Sequence, residues 1–317
     1  MTAKLVIGTR GSKLALWQAN HIAGRIGERH PGCEVALKHI LTTGDKILDV
    51  PLAKIGGKGL FTKELEKELL AGGIDLAVHS LKDMPTELPP GLVLGAVTAR
   101  VDPGDALVSP KYRTLDNLPR GARVGTSSLR RKAQLLAARP DLVIADLRGN
   151  LDTRLAKLAS QELDAIVLAV AGLTRLGWED RITQILPREI CLPAVGQGAL
   201  AIEIREGDTR VREILAFLHH EETAAAVTAE RAFLNEVEGG CQVPIGVFGR
   251  IEADTLVLDA VILSGDGKTR LADTLGGPPA EAETLGRSLA RRMYAAGGRE
   301  ILAGLVGYGK VKEEEYE

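Results

Sequence analysis

The apolar and polar positions change period along the chain. KLVIG (4–8) is a short apolar run of strand length that ends in glycine. In SKLALWQANHIAGRIGERH (12–30) the apolar positions recur at helical spacing, with Ser12 as candidate N-cap and Pro31 just beyond the end. CEVALKHILT (33–42) predicts a second strand. FTKELEKELLAG (61–72) predicts a helix with Leu65, Leu69 and Leu70 on one face, closed by Gly72 and Gly73. IDLAVHS (74–80) predicts a third strand. This β-α-β-α-β order implies a parallel sheet covered by helices.

The pattern then repeats. ARVGTSSLRRKAQLLAARPDLVIADL (122–147) has the layout of the first strand, helix and second strand, with Gly-Thr again closing the strand and serine opening the helix. NLDTRLAKLASQELDAIVLAVAG (150–172) parallels the next helix and strand, with Asp164 in the place of Asp75. Two copies are too few for a solenoid and predict two similar α/β domains facing each other. Turn-rich joints near TARVDPGD (98–105) and LPAVGQGALAIE (192–203) predict a double hinge, with 200–205 returning to the first sheet. Helical patterns fill 208–237. Beyond Gly239, three strand-like runs, an SGDGK turn (264–268) and an amphipathic helix (280–298) predict a small α+β domain. The expected boundaries are 1–99 with 199–217, then 103–193, then 221–317.

Charge narrows the partners. The 317 residues carry a net charge of −2, so no global basic field draws the chain to nucleic acid or to an anionic membrane. The three cysteines, Cys33, Cys191 and Cys241, are too far apart for a CxxC metal site and odd in number, against a disulfide framework. No metal constellation stands out among the histidines. MTAKLVIGTR has no apolar signal core, and no run is long enough to span a bilayer. A reduced, cytoplasmic protein is expected.

Cations nevertheless gather where the strands end. These loops hold Arg10 and Ser12; Ser80, Lys82 and Asp83; Thr126, Ser128, Arg130 and Arg131; Arg148 and Arg154; and Arg175. Ligands of open α/β sheets bind outside the carboxyl ends of the strands, where helix N-termini also attract anions. Any one of these arginines reads equally well as a solvated charge or an ion-pair partner. The set as a whole reads as a site for a ligand with several carboxylates or phosphates. Arg130 and Arg131 open a helix, where the dipole disfavours cations, and so call for an anion. Asp83 is the lone acid of its cationic segment. It is suited to steady a transient cation or pass a proton, or else it merely pairs with Lys82 or caps a turn before Pro85. Lys54 and Lys58 flank Gly56 and Gly57 in a lid or in an ordinary loop. Cys33 and Cys191 read as packing residues. Cys241, after two glycines, reads either as a small buried residue or as an attachment point.

Seven ordered segments then carry a resemblance. They are IGTRGSKLALWQA, TTGDKILDVPLAKIGGKGLFTKELE, DLAVHSLKDMPTELPPGL, VGTSSLRRKAQL, DLRGNLDTRL, LPAVGQGALAIE and GGCQVPIG. Together they resemble the porphobilinogen deaminase family, the hydroxymethylbilane synthases of tetrapyrrole and heme biosynthesis. The resemblance implies two domains like periplasmic binding proteins plus a small third, and a monomer. It implies deamination and stepwise joining of four porphobilinogen molecules onto a dipyrromethane primer, with release of hydroxymethylbilane by hydrolysis. The primer is a cofactor held by a thioether to the cysteine of GGCQ, here Cys241.

By the same resemblance, Lys82, Asp83, Thr126, Ser128, Arg130, Arg131 and Arg154 hold the cofactor. Arg10, Ser12, Arg148, Arg154 and Arg175 hold substrate. Asp83 is catalytic, stabilising the azafulvenium cation left by deamination. Lys54 and Lys58 belong to the lid and Gln197 to the hinge. The sequence departs from the family pattern at Gly11, Lys13 and Gly104. A competing reading is a non-catalytic periplasmic-type binding protein for a small polycarboxylate. A nucleotide-dependent enzyme lacks a phosphate-loop motif.

Overall fold

The computed structural model describes residues 3–46, 59–237 and 243–305. The first lobe opens with β1 (Ala3–Thr9), α1 (Lys13–Arg29), β2 (Cys33–His39), α2 (Lys63–Leu70), β3 (Leu76–Ser80) and β4 (Leu92–Val97). Ser12 caps α1 as expected, its Oγ accepting the Ala15 N–H at 3.3 Å. The second lobe follows with β5 (Asp105–Val108), β6 (Arg123–Gly125), α3 (Leu129–Ala138), β7 (Val143–Ala145), α4 (Leu151–Ser160), β8 (Ala165–Ala169), α5 (Val170–Arg175) and β9 (Gln184–Ile185). Ser128 caps α3 in the way Ser12 caps α1, accepting the Arg131 N–H.

β10 (Leu200–Arg205) then returns to the first lobe. The two five-stranded sheets have the orders β2-β1-β3-β10-β4 and β7-β6-β8-β5-β9, which correspond position by position. The repeat read from the sequence is therefore a repeat of topology. The sheets are mixed, however, where a parallel sheet was expected: β10 runs antiparallel to β3 and β4, and β5 antiparallel to β8 and β9. The reason lies in the crossings. Each of these strands enters its sheet from the cleft, where the carboxyl ends of the parallel strands lie, and has to run away from it.

The two crossings touch. Gly198 has φ +95°, and a Cβ there would lie 2.5 Å from the Val101 carbonyl oxygen. Only glycine permits both that backbone angle and that approach. Gly104, in the first crossing, donates its N–H to Asp102 Oδ1 at 2.7 Å. Lys13, which departs from the family pattern, reaches across the lobes to Asp152 at 3.5 Å.

The third unit holds α6 (Glu221–Glu236), the antiparallel sheet β11 (Ile245–Glu252), β12 (Thr255–Leu263) and β13 (Arg270–Gly277), and α7 (Ala282–Met293). Each unit has its own core. Leu5, Ile7, Ile22, Leu76 and Ile202 fill the first, Leu107, Val124, Leu135 and Val167 the second, and Phe233, Leu258, Leu289 and Met293 the third. Each such side chain contributes about 1.5–3 kcal/mol by leaving water. These cores fix the frame on which the cleft residues stand.

Candidate active site

The cations stand at or just beyond strand ends. Arg10 follows β1, Lys82 and Asp83 form the turn after β3, Thr126 and Ser128 follow β6, Arg148 follows β7, and Arg175 ends the helix after β8. Asp83 is exposed, in a 3-10 turn (Leu81–Asp83) whose Leu81 is anchored in the core.

The electrostatics show which groups share a field. Burial lowers the Lys82 ammonium to about 8; Asp83 opposes this and Arg131 adds to it. Burial also lowers Arg154 to about 10, with Arg131 and Arg148 pushing the same way and Asp83 pushing back. Arg175, likewise lowered to about 10 by burial, is again supported by Asp83. Desolvation disfavours each charged form, and the cations repel one another. Asp83 is thus the anion common to Lys82, Arg154 and Arg175. Arg148 adds a buried Nη1 with no partner among the described residues. Several cations gathered around one exposed carboxylate fit a ligand rich in carboxylates, as a dipyrromethane with its acetate and propionate groups is. Thr126 Oγ1 accepts the Ser128 N–H at 3.2 Å, and the capping Ser128 keeps its hydroxyl proton to donate.

The Arg130–Arg131 pair turns out differently. The anion its position calls for is supplied from within, by Asp105, which is fully buried. Arg130 Nη1 donates to Asp105 Oδ2 at 2.6 Å, and Arg131 Nε and Nη2 donate to Oδ1 at 3.0 and 2.7 Å. Burial alone would raise the Asp105 carboxyl, but the two guanidiniums hold it well below the usual carboxylate range. Burial, with Asp105 beside it, pushes the Cys191 thiol up to about 12, so this cysteine is inert at neutral pH. Gln197 sits between the lobes. Its Nε2 donates to Pro103 O at 2.6 Å and Asp105 Oδ1 at 2.9 Å, and its Oε1 accepts from Lys82 Nζ at 3.4 Å.

Arg10 too has a partner within the protein. Its guanidinium pairs with Asp45 and lies 4.2 Å over the Phe61 ring. Lys54, Lys58 and Cys241 lie outside the described residues. Sequence reasoning passed over Asp105, although an acid opening the wholly apolar strand DALV signals a buried partner. It also passed over Glu230, which joins Arg100 beneath the hinge at 2.8 and 2.9 Å. Among the described residues, no group of three or more His, Cys, Asp or Glu is placed to hold a metal, and no helix is long and apolar enough to cross a membrane.

Comparison with known proteins bears directly on this site. Residues 5–213 match the family profile described as porphobilinogen deaminase, dipyromethane cofactor binding domain. Residues 224–295 match its C-terminal domain. Porphobilinogen deaminase of Geobacter metallireducens is 52% identical over 312 residues, covering 98% of either chain. That of Moorella thermoacetica is 56% identical over 299 residues, covering 94% of this chain and 96% of the other. Among solved structures, a TRAP periplasmic solute binding protein from Desulfovibrio salexigens aligns with TM-score 0.42 and 14% identity, covering 70% of this chain and 74% of that one. The profiles and the near-full-length identities place the chain in the porphobilinogen deaminase family.

Proposed function

We propose that Asp83 is the catalytic group of this hydroxymethylbilane synthase and that Cys241 carries its dipyrromethane primer through a thioether. The primer supplies the pyrrole end to which each porphobilinogen unit is joined. The cations of the cleft hold its carboxylates: Lys82 and Arg154 with the donors Thr126, Ser128, Arg130 and Arg131. Arg10, Ser12, Arg148, Arg154 and Arg175 receive the incoming porphobilinogen.

The observation that carries this reading is the single field shared by Asp83, Lys82, Arg154 and Arg175. Those cations neutralise the acetate and propionate groups, leaving Asp83 as the carboxylate that faces the ring nitrogens. When ammonia departs from the aminomethyl carbon, positive charge spreads over the substrate's pyrrole. A fixed carboxylate steadies that charge without reorganising. After the carbon–carbon bond forms, a ring proton has to leave, and an Asp83 carboxylate oxygen is placed to accept it.

Gln197 ties Lys82 of the first lobe to Asp105 of the second, which supports its role at the hinge. By the family resemblance, Lys54 and Lys58 are assigned to the lid. The domains run over 1–99 with 199–217, 103–193 and 221–317, in a monomer that works in the cytoplasm. Replacing Asp83 with Ala tests the central assignment. Turnover is expected to fall at least about 10²–10⁴-fold, the usual range for a positioned acid–base group, with fold and primer retained. Near-normal turnover would sink the assignment.

A further inference from the structure

Asp105 stands between two arginines of the candidate site and is wholly buried. Its two oxygens receive Arg130 at 2.6 Å, Arg131 at 2.7 and 3.0 Å, Gln197 at 2.9 Å and the Cys191 thiol at 3.2 Å. The arginines are engaged elsewhere too. Arg130 Nη1 also donates to the Leu192 carbonyl at 2.7 Å, and Arg131 Nη1 to the Val167 carbonyl at 3.0 Å. A guanidinium has five N–H groups. Arg131 therefore has its Nε–Nη2 edge taken and Arg130 has Nη1 taken, so a ligand carboxylate meets only part of each fork.

We infer that Asp105 is a positioning residue that tempers the arginine pair, competing with the carboxylates of the growing chain for the same guanidiniums. This rests on the reading that Arg130 and Arg131 hold that chain. The physical need is clear from the reaction. Each added ring brings an acetate and a propionate, and bidentate Arg–carboxylate pairs are among the stronger charge-assisted contacts. Forks at full strength would hold every elongated form tightly, and binding that favours intermediates as much as transition states does not speed turnover. An internal carboxylate leaves the contacts exchangeable, so the chain shifts as it lengthens.

The test uses the holoenzyme with limiting porphobilinogen, following the intact mass of the protein over time. In Asp105→Asn, the species carrying added pyrrole mass are expected to decay at least about tenfold more slowly than in the wild type, with kcat lowered and KM not raised. In Asp105→Glu, which keeps the charge, they are expected to decay no more slowly than in the wild type. The Glu variant carries the test alone if the Asn variant does not fold. Unchanged decay in Asp105→Asn, or slowed decay in Asp105→Glu, overturns the inference. The underlying site reading fails in a different way: Arg131→Leu would then load and elongate the primer like the wild type.

Discussion

A single carboxylate fastens both crossings to the third domain, and its removal has a calculable cost. Glu230 on α6 is fully buried. It accepts Arg100 Nη1 and Nη2 at 2.8 and 2.9 Å, from the first crossing. It also accepts the Gly196 N–H at 2.7 Å, from the second crossing, and the Gly249 N–H at 2.8 Å, from β11. Glu230→Ala leaves the Arg100 guanidinium buried without its anion and two backbone N–H groups without acceptors. Stranding a buried charge costs about 3–5 kcal/mol, and each orphaned donor about 1–3 kcal/mol where water does not reach it. These terms overlap, so the expected loss is about 4–6 kcal/mol, much of the stability of an ordinary domain. The double variant Arg100→Met/Glu230→Met exchanges the pair for apolar volume and leaves the two amides and the Gly249 carbonyl, which accepts Arg100 Nη1 at 3.3 Å, short of partners, so it is expected to cost about 2–4 kcal/mol. Urea unfolding followed by circular dichroism, run as a double-mutant cycle, measures the coupling, which is expected to exceed about 2 kcal/mol. A loss below about 1 kcal/mol for Glu230→Ala, or a double variant costing the sum of the singles, would refute this reasoning.

Other consequences follow from the cleft and the hinge. Lys82, lowered to about 8, loses its charge as pH rises through that value, whereas Arg154 and Arg175 at about 10 keep theirs. Binding of a free dipyrromethane bearing acetate and propionate groups to a Cys241→Ser variant, proposed to lack the attachment thiol, is therefore expected to weaken above pH 8 and to take up protons there. Calorimetry in two buffers of different ionisation enthalpy shows this, and a flat profile from pH 7 to 9 contradicts it. Gly198→Ala places a Cβ 2.5 Å from the Val101 carbonyl oxygen at φ +95°. It is expected to cost at least about 2 kcal/mol in unfolding free energy, and an unchanged urea midpoint would show that the crossings do not press together there.

Much of this architecture is legible in the sequence because it is local. Strand and helix periods, the serine caps at Ser12 and Ser128, and the Gly267 turn are set by near neighbours. The repeat is visible because the same strand–Gly–Thr–Ser–helix order occurs twice. The antiparallel insertions are not visible, because β5 and β10 take their direction from where the chain crosses the cleft. The site divides in the same way. Cations at strand ends can be recognised as a class, but whether a guanidinium faces ligand or protein depends on a distant partner. Asp105 lies 25 and 26 residues from Arg130 and Arg131, and Asp45 lies 35 from Arg10. The competing reading as a binding protein foundered on the third domain, which the family match covers.

The attachment at Cys241 is the claim on which the rest depends, and intact mass measures it most directly. The purified protein is expected to exceed its sequence mass by one covalent dipyrrole, lost in Cys241→Ser, with the added mass mapping to the peptide containing GGCQ. Limiting porphobilinogen is expected to extend that mass in steps of one pyrrole. An active protein of unmodified mass, or a dipyrrole on Cys33 or Cys191, would contradict the account.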